Sequence, residues 1–96
     1  MINFKFRLTL IFASNNAGET LETARAKIQI ITKEPFSLFT GQGTDGETAE
    51  PVYMFIQFTQ ARPEAIRTAE AIRRAFKQKA VLFETIKSDA GIYPSK

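Results

Sequence analysis

The chain has 96 residues, 44% of them hydrophobic, and a net charge of +3 at neutral pH. This length predicts a single domain over residues 1–96, near the small end of chains that can bury a self-sufficient core. The chain contains no cysteine and no histidine, which excludes disulfides, thiolate chemistry, zinc sites built on those residues and a histidine general base. We therefore expect no metal and no cofactor, and stability that comes from packing.

Residues 2–12 alternate between apolar and polar side chains, which predicts a first strand with one face on the core. Its outer face is expected to carry Asn3, Lys5, Arg7, Thr9 and Ile11. The charges within this run also interrupt any signal-peptide core, and no stretch is long and apolar enough to span a membrane. We expect a cytoplasmic protein.

A first helix is expected to begin near Asn16, because Asn16 and Glu19 have the spacing of a capping box. Its apolar side follows at helical spacing and consists of Leu21, Ala24, Ile28 and Ile31. Residues 28–32 are rich in β-branched side chains, so helix and strand remain open alternatives there. Pro35 ends either one.

Two strands joined by a glycine-rich turn are predicted next. Residues 36–40 form a short strand, and residues 52–58 form the most strand-like run of the chain, which we place at the centre of the sheet. Between them, Gly41, Gly43 and Gly46 match the spacing of a dinucleotide-binding motif, but that motif lies between a strand and a helix. They favour a flexible hairpin tip, with a loop that closes over a ligand or partner as the alternative.

A second helix and a last strand complete the chain. Pro63 and Glu64 suit a first helical turn, an apolar stripe at helical spacing follows, and residues 81–86 favour a strand. We expect a folded core over residues 2–87 and a tail over residues 88–96. The order β-α-β-β-α-β predicts an α+β, ferredoxin-like fold, which is an antiparallel sheet with two helices on one face.

The central strand contains a pattern with a functional meaning. Its segment Tyr53-Met54-Phe55-Ile56-Gln57-Phe58 resembles the end of the RNA-recognition-motif signature, with aromatic residues at the same spacing. The side chains expected to face the helices are Val52, Met54, Ile56 and Phe58. Tyr53 and Phe55 are then expected on the open face of the sheet. They would lie beside Lys5 and Arg7 of the first strand.

Two interpretations of this open face follow. Exposed aromatic patches usually mark an interface, so we expect self-association through the face or edge of the sheet, with a dimer as the first guess. The resemblance to RNA-recognition motifs implies instead that Tyr53 and Phe55 stack on the bases of single-stranded RNA or DNA. We favour self-association.

The basic residues of the second helix suggest a further surface. Arg67, Arg74 and Lys77 fall along one outer side of this helix, and they are a candidate contact for an anion. The alternative is a solvated surface that Glu70 partly neutralises at helical spacing.

Together these patterns predict a small binding module that self-associates and binds a protein or a small anionic ligand. No histidine is present to activate a serine, and no carboxylates are positioned for acid–base chemistry, so we expect no enzyme. The length, the Phe-rich segment 36–39 and the basic helix resemble small proteins of bacteria and their phages, which suits a phage-encoded inhibitor or sequestering protein. An RNA-recognition-motif-like binder of single-stranded RNA or DNA is the alternative.

Overall fold

The structure is a computed structural model that describes residues 3–14, 19–44 and 46–91. Its elements, in order, are β1 (Asn3–Ala13), α1 (Leu21–Ile31), β2 (Ser37–Thr44), β3 (Ala49–Thr59), α2 (Arg62–Ala75) and β4 (Leu82–Gly91). Neighbouring strands are antiparallel and follow the order β2-β3-β1-β4. The predicted ferredoxin-like α+β fold is confirmed, and β3 lies inside the sheet as expected. No helix in the described part of the chain is long and apolar enough to cross a membrane.

One face of the sheet packs against both helices and holds the core. The buried apolar side chains are Leu8, Leu10, Phe12, Ala24, Ile28, Tyr53, Phe55, Ala65, Ala69, Ile72 and Phe76. The alternation predicted for β1 is confirmed, because its buried residues are every second one along the strand. The core therefore consists of the inner side of the two central strands and one stripe of each helix.

Thr20, rather than Asn16, caps the start of α1. The Thr20 hydroxyl accepts a hydrogen bond of 3.2 Å from the Thr23 amide, and the Thr23 hydroxyl accepts one of 3.0 Å from the Thr20 amide. This reciprocal pair is a capping box with threonine in both positions. The cap predicted at Asn16 and Glu19 is therefore displaced along the chain, and Asn16 itself lies outside the described residues.

The alternatives left open for residues 28–32 are decided in favour of helix as far as Ile31. Ile28 is fully buried in the core. The Thr32 amide donates a 3.0 Å hydrogen bond to the Ile28 carbonyl, while Thr32 itself is already extended. Packing of Ile28 on the apolar side of the helix outweighs the strand propensity of the β-branched run.

The tip of the β2–β3 hairpin is shorter than predicted. Gly41 and Gly43 lie within β2 and pair with residues of β3 in the antiparallel ladder. The prediction that all three glycines form a flexible tip is therefore wrong for these two, because the ladder uses only backbone groups, which glycine also has. Gly46 does lie in the turn, with a φ of +106° that glycine adopts without strain.

β4 is longer than the predicted final strand. It extends to Gly91 and pairs with β1, with a register shift between Phe4 and Phe6 of β1. Such a shift is a bulge, which lets pairing continue past an extra residue. Residues 88–91, expected in the tail, therefore belong to the sheet, and residues 92–96 lie outside the described residues.

The side chains of β3 face the opposite way from the prediction. Tyr53 and Phe55 lie in the core, because they pair directly with Phe12 and Leu10 of β1 in the ladder. The residues on the face away from the helices are Val52, Met54, Ile56 and Phe58. Both sets are largely apolar, so the alternation within β3 did not distinguish them.

Gln57, on the same side of β3 as Tyr53 and Phe55, is buried despite its polar amide. Its Nε2 donates hydrogen bonds to Thr32 Oγ1 at 3.1 Å and to the Glu34 carbonyl at 3.5 Å. These two acceptors satisfy the amide nitrogen of Gln57, so its side chain can be buried. From its polarity alone, Gln57 would be expected on the outer face of the sheet. The open-face site predicted at Tyr53 and Phe55 is therefore wrong, and the base-stacking pair is not on that face.

Candidate functional site

A carboxylate, an ammonium and a phenol meet at one end of the core. Glu19 lies just before the cap of α1, Lys27 lies in the second turn of α1, and Tyr53 lies in β3. The Tyr53 hydroxyl donates a hydrogen bond to Glu19 Oε1 at 3.1 Å, and Lys27 Nζ donates one to Oε2 at 2.7 Å. Each oxygen of one carboxylate therefore accepts a hydrogen bond from a different element.

This cluster lies largely out of contact with water. Tyr53 is 1% exposed, and the side chains of Glu19 and Lys27 are 7% and 36% exposed. A buried carboxylate is tolerated only when its charge is paired and its oxygens are hydrogen-bonded. Lys27 and Tyr53 supply both, and in doing so they join the start of α1 to the sheet.

The ammonium of Lys27 also lies against an aromatic ring. Its Nζ is 4.4 Å from the centroid of the Phe76 ring, a distance at which the ring face attracts a cation. The rings of Phe12 and Tyr53 pack against Phe76, with centroids 4.9 and 5.9 Å away. A carboxylate and an aromatic wall thus form a position for a positive charge, and Lys27 occupies it.

The surroundings of Tyr53 keep its phenol protonated. Burial is the largest cause that raises the pKa of Tyr53 above its usual value of 10.0. A hydrogen bond with Ser14 lowers this pKa, the hydrogen bond and negative charge of Glu19 raise it, and the positive charge of Lys27 lowers it. At neutral pH the phenol is therefore a hydrogen-bond donor to Glu19 and not a base.

The structure does not bring together the four residues predicted to share a site. Tyr53 and Phe55 are in the core. Lys5 is exposed, and Arg7 pairs with Glu84 of β4 at 3.8 Å. Because a strand presents alternate residues to opposite faces, the sheet itself separates Arg7 from Tyr53 and Phe55.

The three basic residues predicted along α2 have different neighbours. Arg74 donates a 3.0 Å hydrogen bond to Glu70. Arg67 lines a groove between α1 and α2, and Lys77 follows the end of the helix with a φ of 53°. The hydrogen bond from Arg73 is the largest cause that lowers the pKa of Glu70 to about 2. This arrangement supports a partly neutralised, solvated surface, and the anion contact stays a prediction.

An open groove runs between α1 and the edge strand β2. It has a volume of about 520 Å³, and its lining includes Leu21, Arg25 and Phe36. A second hollow of about 430 Å³ continues along α1 and shares Arg25 and Phe36 with the first. Leu21 lies two residues after Glu19, so the groove begins beside the segment that carries the buried carboxylate. Nowhere among the described residues do three or more acidic side chains gather as a metal site requires.

The fold is shared with a known enzyme. No protein-family model matches the chain, and no curated protein matches it. A solved structure of a phage SAM lyase in the apo state does match, with a TM-score of 0.59. In fold, this chain is similar to a phage SAM lyase. The similarity covers 88% of this chain and 81% of that chain, and 18% of the matched residues are identical.

This similarity overturns the prediction that the chain is not an enzyme. The protein that shares its fold is a lyase, so neither this architecture nor this size argues against catalysis. The prediction rested on the absence of histidine and cysteine and on carboxylates for which the sequence offers no positioned partner. That absence excludes a histidine base and a thiolate nucleophile, but carboxylates and phenols also carry out enzyme chemistry.

Three residues of the cluster were not found by sequence reasoning. The sequence pattern predicts only a helix cap for Glu19, and it does not single out Lys27 or Phe76 as site residues. No periodic pattern connects them, because they come together only through the packing of α1 and α2 on the sheet. The one available signal is Tyr53, since a tyrosine inside a largely apolar central strand needs a partner for its hydroxyl.

Proposed function

We propose that this chain is a lyase that cleaves S-adenosylmethionine (SAM), or a related sulfonium compound, at a carbon–sulfur bond. The observation that carries the proposal is the position between the Glu19 carboxylate and the Phe76 ring, where a positive charge already lies. A sulfonium group is a cation, and both contacts attract cations. The fold shared with a phage SAM lyase supports the same class of substrate.

Cleavage of a sulfonium compound suits a chain that lacks histidine and cysteine. When the carbon–sulfur bond breaks, its electron pair stays on sulfur, and the leaving group is a neutral thioether that needs no proton. The carbon fragment completes its valence by bonding to the substrate's own carboxylate, or by losing a neighbouring proton to a carboxylate, either its own or that of Glu19. No general acid is therefore required, and no water molecule enters the balance of atoms.

In this proposal Glu19 binds the positive charge of the substrate after Lys27 moves aside. The Lys27 side chain is partly exposed and flexible, so its ammonium can move into water. Tyr53 is a positioning residue, because its hydroxyl holds the carboxylate in place. Burial of Glu19 and Tyr53 favours the reaction. The positive charge on the sulfur disappears when the carbon–sulfur bond breaks, and this step proceeds more readily where water does not solvate the charged substrate.

We also propose a phage origin, in keeping with the length and composition of the chain and with the source of the matched lyase. Loss of SAM would deny it to host enzymes, which is a form of the sequestering role expected from the sequence. Expression of this chain in a bacterium should then lower the cellular SAM concentration, and expression of a Glu19→Gln variant should not.

The direct test is incubation of the purified protein with SAM. Chromatography separates substrate from products, and mass spectrometry identifies them. We expect SAM to disappear faster than with heat-inactivated protein, and a thioether to form whose partner fragment has initially taken up no oxygen from labelled water. SAM that persists at the uncatalysed rate would exclude the proposed function.

Variants on the inner side of β3 and before α1 test the proposed site. Glu19→Gln should lower the rate by about 100-fold or more, and Tyr53→Phe should lower it less, because Tyr53 acts through Glu19. Gln57→Met is the matched control, since Gln57 is a buried polar residue of the same strand with partners at the other end of the core. Circular dichroism verifies that each variant is folded. Full activity in Glu19→Gln would rule out this site.

A further inference from the structure

The groove between α1 and α2 is lined by charged side chains of both signs. Lys33 and Glu34, which follow the end of α1, contribute one cation and one anion. Glu64 and Arg67, in the first two turns of α2, contribute another of each. The volume of the groove is about 410 Å³, within the roughly 300–1,000 Å³ of small-molecule sites. A ligand in this groove therefore meets a balanced set of charges.

The charges of this groove do not pair with one another. Glu64 and Arg67 are three residues apart on α2, a spacing at which opposite charges commonly pair. On the same helix Glu70 binds two arginines at such spacings. Yet within the described part of the chain no ion pair joins any of the four groove side chains, and Lys33 donates only to the Gln29 carbonyl, at 3.5 Å. The half-buried carboxylate of Glu64 and the guanidinium of Arg67 are thus available to a ligand.

The rim of the groove is held from inside the core by Gln57. Its buried amide donates to Thr32 Oγ1 and to the Glu34 carbonyl, and the Glu34 amide also donates to Thr32 Oγ1, at 3.3 Å. These bonds fix the backbone that carries Lys33 and Glu34. A site binds more tightly when its groups are positioned before the ligand arrives. A buried glutamine on the otherwise apolar inner side of β3 thus supports this groove, and it has no part in the cluster at Glu19.

The balance of charges narrows the class of ligand. A nucleic acid needs a surplus of positive charge, and a calcium ion needs more oxygen ligands than two carboxylates supply. A zwitterion carries one charge of each sign a few bonds apart. The Arg67 guanidinium matches the geometry of a carboxylate with two parallel hydrogen bonds, and the Glu64 carboxylate accepts from an ammonium. Ile31 and Ala71, both half-buried, add apolar surface to the lining.

We propose that this groove binds a free α-amino acid with an apolar side chain. Arg67 binds the carboxylate of the ligand, Glu64 binds its ammonium, and the ligand side chain packs against Ile31 and Ala71. The site does not depend on the proposed lyase activity. Glu19 lies before the start of α1 and the groove lies at its end, and the 11 residues of this helix separate them by about 16 Å.

The test is titration calorimetry of the purified protein with L-leucine and with L-valine, in the absence of SAM. We expect both to bind, with a dissociation constant on the order of 1 mM or below. Isocaproate is leucine without its ammonium, and isoamylamine is leucine without its carboxylate. Each should bind at least about 10-fold more weakly than leucine, because each leaves one charge of the groove without a partner.

Variants of α2 locate the site. Arg67→Gln and Glu64→Gln should each weaken the binding of L-leucine by at least about 10-fold, and circular dichroism verifies that both variants are folded. Arg74→Gln is the matched control and should bind as the wild type does, because Arg74 binds Glu70 and lies outside the lining of the groove.

Three results would overturn the proposal. The first is the absence of binding by both amino acids. The second is binding of isocaproate or inorganic phosphate as tightly as L-leucine, which would favour a simple anion contact at Arg67. The third is unchanged affinity for L-leucine in both Arg67→Gln and Glu64→Gln, which would place the amino acid elsewhere on the protein.

Discussion

The hydroxyl of Tyr53 donates a hydrogen bond of 3.1 Å to Glu19, a residue 34 positions earlier in the chain. This contact links the interior of β3 to the segment that leads into α1. Lys27 binds the other oxygen of the same carboxylate. The three side chains should therefore behave as one unit, both in the stability of the fold and in the binding of cations.

Tyr53→Phe should lower the free energy of unfolding by about 1–3 kcal/mol, because it removes a donor from a buried carboxylate oxygen. Urea unfolding measures the change. In a double-mutant cycle with Glu19→Gln, the double variant should lose less stability than the sum of the single variants, since the two side chains interact. Strictly additive losses would show that this hydrogen bond does not contribute.

Tyr53 should ionise only above pH 10.0, since burial is the largest cause that raises its pKa above that value. In a Tyr93→Phe variant, Tyr53 is the only tyrosine, so ultraviolet absorbance follows it alone. Because its pKa is raised in the folded state, Tyr53 stabilises the folded protein in full at pH values below its pKa in the unfolded chain. This stabilisation is lost as the pH rises through its pKa in the folded protein. A titration midpoint of Tyr53 at or below pH 10.0 in the folded protein would contradict the raised pKa.

Glu70→Gln should reduce the sensitivity of the fold to acid. The pKa of Glu70 is held at about 2, chiefly by the hydrogen bond from Arg73. A lowered pKa stabilises the folded state above the usual value of 4.5, and this stabilisation is lost as the pH falls through about 2. The difference in melting temperature between wild type and variant should therefore shrink as the pH falls from 4.5 to about 2. High salt should also reduce this difference, because exposed ion pairs are screened. A difference independent of pH would argue against this contact.

Gly41→Ala and Gly43→Ala form a matched pair within β2. A Cβ at Gly41 meets no atom within 4 Å, whereas a Cβ at Gly43 lies 3.1 Å from Cγ1 of Val52. Alanine restricts the unfolded chain, so Gly41→Ala should stabilise the protein by about 0.4–1 kcal/mol. Gly43→Ala should gain less or lose stability, because Val52 must shift. Equal changes in the urea midpoint of the two variants would show that Val52 leaves room for a Cβ at position 43.

Lys27→Ala should open the cation position beside Glu19 and Phe76. The variant should melt below the wild type, because a buried carboxylate loses its partner charge. Trimethylsulfonium ion should raise its melting temperature more than that of the wild type, since a ligand that binds only the folded state stabilises it. Adding Glu19→Gln should abolish this response. An equal rise in the melting temperature of the wild-type protein would contradict the idea that Lys27 occupies the cation position.

The element order and the orientation of β1 could be predicted from the sequence. One alternate set of β1 is apolar and the other contains Lys5 and Arg7, so only one orientation buries apolar surface without burying charge. The helical period after Pro63 likewise predicted α2. In these segments hydrophobic burial alone decides which side of the element faces the core. The spacing of apolar residues along the sequence shows which side is buried.

The orientation of β3 and the cluster at Glu19 depended on the tertiary structure. Both alternate sets of β3 are apolar enough to be buried, so its orientation follows from pairing with β1 and from the hydrogen bonds that Gln57 makes with Thr32. Glu19 and Tyr53 meet from distant segments. Periodicity reports which side of one element avoids water, but a contact between distant residues exists only once several elements have packed together.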